Sequence, residues 1–410
     1  VTSSNERFYV QYRIFGTKNA ALARAKHICF EQTVEFPQEL IGGGYIRSHI
    51  IGRVESFEAA DKKSFSAVIS YAADITGFEL PQLLNVIFGN ISLLPAIRVE
   101  AINLSPSILN IFDGPRFGIR GLRRLLNVYG RPLLCTALKP LGKSAAELAE
   151  LAYLCARGGI DIIKDDHGLA NQRYAFFKER VVRCSRAVAK ANRETGRRAI
   201  YCPHISAPSD EIAGRAMFAK KHGAGGLLVS PGLCGMSAMQ KVSENNALAL
   251  PVIMHPAFLG SYVVNPASGI SHGVMFGQIA RLLGADATIY PNYGGRFSFS
   301  MDECKNIVRG ANVKMGKLRS IFPCPGGGMT LERIPGMQKM YGNDVIFLVG
   351  GGLFAPGASV EENCRYFLKL PGASVEENCR YFLKLITKFP LTLPSPHRVE
   401  GAKRSSLPVG

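Results

Sequence analysis

One stretch of the chain ends an apolar run on four chemically active side chains. In GGIDIIKDDHGLANQ (158–172), Ile162 and Ile163 lead straight into Lys164, Asp165, Asp166 and His167. In a strand, alternate residues face the same way, so Lys164 and Asp166 share a face and Asp165 points elsewhere. A carboxylate beside a second oxygen donor suits Mg²⁺, which prefers hard oxygen ligands. An ammonium has no lone pair to offer a metal, so Lys164 joins such a set only if CO₂ converts it to a carbamate. The same spacing also suits a plain Lys–Asp ion pair at a rim, and the residues alone leave both readings open. Lys139, in TALKPLG, closes another apolar run, with a proline that stops the strand behind it. It is a candidate for holding an enolate oxygen or for acid–base work. His204 and His255 each end a further run. Either alone reads as a packing histidine, but two of them converging with two lysines favour chemistry.

Two glycine triplets, Gly326-Gly327-Gly328 and Gly350-Gly351-Gly352, follow apolar runs late in the chain. Backbone N–H groups in such turns bind a phosphate, and glycine lets the anion approach them. Gly327, Gly328, Gly350 and Gly351 are the expected phosphate contacts; two tight turns are the alternative.

These residues need a scaffold that brings many strand ends to one place. Eight apolar runs supply it: 132–138, 160–164, 198–202, 225–230, 251–255, 286–290, 320–324 and 344–350. They alternate with helical segments such as SAAELAELAYLCARGG and HGVMFGQIARLLG. That alternation predicts an α/β fold with a C-terminal (β/α)₈ TIM barrel, whose chemistry lies at the C-terminal ends of its strands. Ahead of it, residues 1–125 read as an N-terminal α+β (ferredoxin-like) domain. Its expected strands are Phe8–Ile14, Ser64–Tyr71 and Ile97–Ile102, with helices over Ala20–Cys29 and PQLLNVIFGN, and FDGPRFGIRGLRRLL as the link. The barrel domain is expected over 126–385 and an irregular tail over 386–410. Within this stretch PGASVEENCRYFLKL occurs twice in tandem, at 356–370 and 371–385. The repeat is one helix-sized unit, too short for a solenoid, and reads as a duplicated eighth helix or an aberrant duplication.

Composition excludes several classes. No apolar run approaches the roughly 20 residues of a membrane helix, and the first residues have no basic-then-apolar leader. Ten cysteines without a CxxC pair read as buried thiols in a cytoplasmic protein, with neither a disulfide framework nor a zinc site. The net charge of +18 is spread along the chain without a basic-aromatic stripe. It favours an anionic small substrate over nucleic acid.

GGIDIIKDDH, GRPLLCTALKP, NVIFGN, the PGGGM loop and the VGGG loop, taken in order, resemble the RuBisCO large chain over about residues 8 to 355. In that family the motif lysine is carbamylated and binds Mg²⁺ with an Asp and a Glu. The resemblance therefore implies a metal site at Lys164, Asp166 and His167, and a head-to-tail homodimer. Each active site would be completed by the partner's N-terminal domain, with Glu31 and Asn90 at the matching positions. The departures are as specific as the matches. His167 stands in place of the glutamate ligand, and Leu141 in place of a second lysine after Lys-Pro. His255-Pro256 replaces a His-Arg pair, so an arginine gripping one of two substrate phosphates is missing. YPNYGGRF replaces the loop whose lysine holds CO₂, leaving Arg296 nearby.

Loss of a phosphate-clamping cation removes charge-assisted hydrogen bonds, so a bisphosphate should bind poorly. The chain is thus similar to RuBisCO-like proteins of the methionine-salvage type and is expected not to fix CO₂. The expected activity is Mg²⁺-assisted enolisation or 1,3-proton transfer on a phosphorylated ketose, foremost 5-methylthioribulose 1-phosphate isomerisation. Lys139, Lys164 and His255 are the expected catalytic groups. Alternatives are a 2,3-diketo-5-methylthiopentyl-1-phosphate enolase, a decarboxylase of a 3-oxo sugar acid phosphate, or a non-catalytic binding or regulatory homologue.

Overall fold

The computed structural model describes residues 5–297, 299–354 and 359–369, all within one compact unit spanning Val1–Pro371. Its N-terminal part is built on strands β1 (Arg7–Phe15), β2 (Arg53–Asp61), β3 (Ser64–Ala72) and β4 (Ile97–Asn103). Phe8, Val10, Tyr12 and Ile14 alternate into the core of β1, the period-2 pattern that made this strand legible. β1 pairs antiparallel with both β3 and β4. β2 was not expected: its side chains are almost all exposed, so it has no apolar alternation, and it is held by its antiparallel ladder to β3. Helices at Lys18–Glu31 and Leu80–Phe88 cover this sheet with Ile28, Leu83 and Ile87.

The eight expected barrel strands all form. They are β5 (Leu133–Leu138), β6 (Ile162–Asp165), β7 (Ile200–Cys202), β8 (Leu227–Val229), β9 (Val252–Met254), β11 (Ala287–Pro291), β12 (Phe322–Gly326) and β13 (Ile346–Val349). β10 (Gly269–Ile270) is a two-residue strand that leaves the barrel and pairs parallel with β4, stitching the two sheets' elements together. Within the barrel every neighbouring pair is parallel, in the order β7-β6-β5-β13-β12-β11-β9-β8. The ring closes between β7 and β8 through the His204–Leu228 bridge, with Ile205 N–H donating to the Leu228 carbonyl at 3.0 Å.

Inside the barrel, Leu133, Cys135, Ile162, Ile200, Cys202, Leu228, Ile253, Ile289, Phe322 and Ile346 pack into one cluster. The segment read as a link does more than connect. Gly118–Leu126 is a helix whose Leu122 and Leu126, four residues apart and so on one face, join this interior cluster. Arg123 on the same helix pairs with Asp344 ahead of β13 at 2.8 Å. The helix thus belongs with the barrel in packing, although it straddles the expected boundary at 125/126.

The first copy of the tandem repeat supplies the helix Val360–Lys369, with Cys364 and Phe367 buried. It lies against the helix Ala145–Gly158 at Gly158, where a Cβ would come within 2.5 Å of the Cys364 Cβ. The second copy and the tail at 386–410 lie outside the described residues. The nine described cysteines are unpaired, and all but Cys234 are buried. Among the described residues no helix is long and apolar enough to cross a membrane.

Candidate active site at the barrel mouth

β6 points Ile162 inward, Ile163 outward, Lys164 inward and Asp165 outward. Lys164 therefore sits in the barrel, flanked in register by Ala137 of β5 and Cys202 of β7. It is 1% exposed. Its Nζ donates to the Asp165 carbonyl at 3.1 Å. Asp166 follows as the strand opens, and its Oδ2 meets Lys139 Nζ at 2.6 Å. Its Oδ1 accepts from the Gly168 N–H at 3.1 Å and lies 3.4 Å from His167 Nδ1. Burial works to raise this carboxyl, but the Lys139 ion pair, the Gly168 amide and the Lys164 charge outweigh it and hold it below the usual carboxylate range.

Lys139 and His167 are half exposed, with side chains 49% and 45% accessible. His167 stacks on His255, ring centroids 4.3 Å apart at 15°. Burial lowers the His167 imidazole, Lys164 and Lys139 add to this, and Asp166 partly opposes it. His255 is pushed well below the ordinary histidine value, first by burial and then by Lys164, His167, His204 and Lys139. Its Nδ1 accepts the Ala257 N–H at 3.1 Å, which places the proton of the neutral ring on Nε2. In this state His255 is a hydrogen-bond donor.

His204 differs. It is buried, with Nδ1 on the Leu169 carbonyl at 3.0 Å and Nε2 on Ser230 Oγ at 3.1 Å. Burial moves its ring down to about 4. Both nitrogens are occupied, so His204 is a packing histidine that braces the loop after β6.

The strand period turns Asp165 away from the mouth, as expected, but the sequence does not reveal its partners. On the outer face of β6 its carboxylate takes Arg180 Nε at 3.0 Å, Tyr201 OH at 2.7 Å and the His204 N–H at 3.1 Å. Arg180 is fully buried and also donates to the Ala175 and Ala170 carbonyls at 2.6 and 2.9 Å. This network fixes both ends of the loop that presents Asp166 and His167. Its only sequence signal is the pairing of an outward acid with an arginine 15 residues on, which nothing local distinguishes.

The glycines divide by cause. A Cβ on Gly328 would fall 2.6 Å from Arg333 Nη1, so packing and a φ of +64° already require glycine there. Gly327 has φ +91° but open space around it. Gly350 and Gly351 have no left-handed φ, and among the described residues no atom lies within 4 Å of where a Cβ would stand. Neither backbone strain nor packing explains glycine at those two positions.

Among the described residues no three His, Cys, Asp or Glu side chains gather as a metal site. As the chain stands, Asp166 is the one carboxylate of the expected trio. The set would fit Mg²⁺ once Lys164 carries a carbamate, which would also turn a buried ammonium that pairs with no carboxylate among the described residues into an oxygen donor. Glu31 and Asn90 lie together: Asn90 Nδ2 donates to Glu31 Oε1 at 3.1 Å and to Glu35 Oε1 at 2.9 Å, on an exposed surface. Arg296 lies over the Phe297 ring, 4.6 Å from its centroid. Leu141 is exposed, against Gly168.

Residues 118–360 match the family model of the ribulose bisphosphate carboxylase large chain, catalytic domain. The chain is 36% identical over 364 residues to the 5-methylthioribulose-1-phosphate isomerase of Rhodospirillum rubrum, covering 88% of this chain and 96% of that one. It is 31% identical over 309 residues to the 2,3-diketo-5-methylthiopentyl-1-phosphate enolase of Bacillus pumilus, covering 74% and 76%. Among solved structures it is similar to the Rubisco-like protein from Rhodopseudomonas palustris, with TM-score 0.80 and 36% identity over 88% of this chain and 96% of that one.

Proposed function

Because the chain belongs to the ribulose bisphosphate carboxylase large-chain family, we propose that it is an enolising enzyme acting on a phosphorylated ketose. The proposed reaction is a 1,3-proton transfer of the 5-methylthioribulose 1-phosphate isomerase kind, without CO₂ fixation. The observation that carries this reading is the convergence of Lys164, the Lys139–Asp166 pair and the His167–His255 stack at one end of the barrel.

The phosphate is seated by the backbone at Gly350 and Gly351, where the space is open, and at the Gly327-Gly328 turn. Lys164, which as a carbamate would offer a carboxylate-like oxygen, is placed to take one C–H proton beside the carbonyl; the electron pair moves onto the carbonyl oxygen, and the enediolate is reprotonated at the former carbonyl carbon as the adjacent hydroxyl gives up its proton. Lys139, held by Asp166, offers its ammonium to the enediolate oxygen, and the Nε2–H of His255 donates to the same charge. Asp166, His167 and the Lys164 carbamate would hold Mg²⁺, which when bound supplies Lewis-acid polarisation of the substrate oxygens. Glu31 and Asn90 complete the site from a second copy, as a homodimer.

Purified protein with Mg²⁺ and bicarbonate, incubated in deuterated water with a panel of ketose monophosphates, should exchange substrate C–H for deuterium. Absence of exchange across the panel sinks the reading. The enolase alternative rests on the Bacillus relative, and product analysis separates the two: isomerisation yields an aldose or a shifted ketose, enolisation of a diketone a stable enol.

A further inference from the structure

Arg333, six residues beyond Gly327 in sequence, touches neither Lys164 nor its neighbours. Its guanidinium instead lies between two mouth loops. Nη1 donates to the Gly328 carbonyl at 2.9 Å, in the turn after β12, and to the Gly294 carbonyl at 3.1 Å, in the loop after β11. Nη2 donates to the Tyr293 carbonyl at 2.8 Å, and the guanidinium carbon stands 5.7 Å from the Tyr293 ring centroid.

The glycines of these loops are fitted to that cation. A Cβ on Gly294 would lie 2.7 Å from Arg333 Nη2, and one on Gly328 2.6 Å from Nη1. A Cβ on Gly295 would lie 3.2 Å from the Gly327 carbonyl group. We propose that Arg333 is the positioning residue of the glycine turn at the seventh barrel strand, clamping it to the loop after the sixth so that its amides face the substrate phosphate. The proposal rests on the phosphate reading of Gly327, Gly328, Gly350 and Gly351.

The physical reason is the planarity of the peptide unit. C=O and N–H of one trans peptide point in opposite directions. Holding the Gly328 carbonyl on the arginine turns the Met329 N–H to the other side. The Tyr293 carbonyl does the same for the Gly294 amide, while the Gly295 N–H donates to the Asn292 carbonyl at 3.3 Å and braces the loop itself. All three acceptors are carbonyls, so they do not neutralise the guanidinium, and its charge stays beside the turn. A lysine cannot substitute, because one ammonium on a flexible stem does not reproduce a planar fork holding three carbonyls.

The test uses the full-length chain, Arg333→Ala and Arg333→Lys, with inorganic phosphate as the probe in a ³¹P NMR titration. Amide hydrogen exchange is followed over 293–297 and 327–330. Both variants should bind phosphate about tenfold more weakly or worse. Exchange in the two loops should rise together, while the β5–β6 core keeps its protection. Phosphate binding by Arg333→Lys equal to that of the unaltered chain shows that charge rather than the fork matters, and overturns the clamp. Unchanged loop exchange in Arg333→Ala overturns it as well. If the unaltered chain binds no phosphate while the variants still loosen both loops, the clamp stands as a loop tie and the phosphate reading fails.

Discussion

His204 and His255 are equivalent in the sequence, each ending an apolar barrel strand, and the fold gives them opposite roles. His204 spends both ring nitrogens on Leu169 and Ser230, while His255 spends one on a backbone amide and stacks on His167. The difference has a measurable consequence. An unfolded histidine titrates near 6.5, whereas folded His204 sits at about 4. On acidification the unfolded chain takes up this proton first, so the stability is complete above about pH 6.5 and is lost as pH falls toward 4. The loss is on the order of 3 kcal/mol. Urea midpoints measured between pH 7 and pH 4 should fall less steeply for His204→Gln than for the unaltered chain, and parallel slopes would refute the assignment. A second residue-scale prediction concerns Gly350, where φ is ordinary and no atom of the described residues opposes a methyl group. Gly350→Ala should change the unfolding free energy from urea titration by less than about 0.5 kcal/mol. KM for the phosphorylated substrate should rise about tenfold, because the methyl occupies the anion's place. A loss of stability with unchanged KM would mean that the turn, not a ligand, needs this glycine.

The second barrel strand with its following loop works as one element because its two faces do different work. Lys164 faces in, while Asp165 faces out into the Arg180–Tyr201 network that anchors the Asp166–His167 loop. Removing one partner of a buried ion pair leaves the other charged and unpaired. Arg180→Met should therefore destabilise the protein by about 3–5 kcal/mol. Asp165→Asn with Arg180→Met should recover part of that loss, because the two sites share one interaction. Denaturant titrations of the single and double variants measure this, and simple additivity would contradict it. Strands were legible where burial imposed a pattern, as in β1 and all eight barrel strands. β2 was not, since an exposed strand held by ladder hydrogen bonds carries no apolar alternation. Gly118–Leu126 read as a link because its glycines and arginines dominate the string. Only packing reveals that Leu122 and Leu126 fill the barrel interior.

At the scale of the whole molecule, the site proposed at the barrel mouth is open to completion by a second copy. Asn90, Glu31 and Glu35 already form a small exposed polar group on the first sheet's side of the chain. If a partner's group of this kind completes each site, Lys164→Ala and Asn90→Ala chains are each inactive alone but complementary. Mixed and reassembled in equal amounts, half the dimers are hybrids, and each hybrid carries one site with both residues intact. About a quarter of the unaltered activity should return on mixing. No recovery, in a mixture shown to exchange subunits, would place Asn90 outside the active site.

The sequence by itself determined the strand count, the alternation with helices and the cluster at Lys164 to His167, because burial and strand period are written directly in residue order. It also marked both glycine turns as special. Only the tertiary structure decided which histidine is free to act and which glycines answer to packing rather than to open space. It alone joined Asp165 to Arg180 and Arg333 to two separate loops. Those are contacts between elements distant in the chain, made when a closed barrel brings eight strand ends together, and no local pattern encodes them.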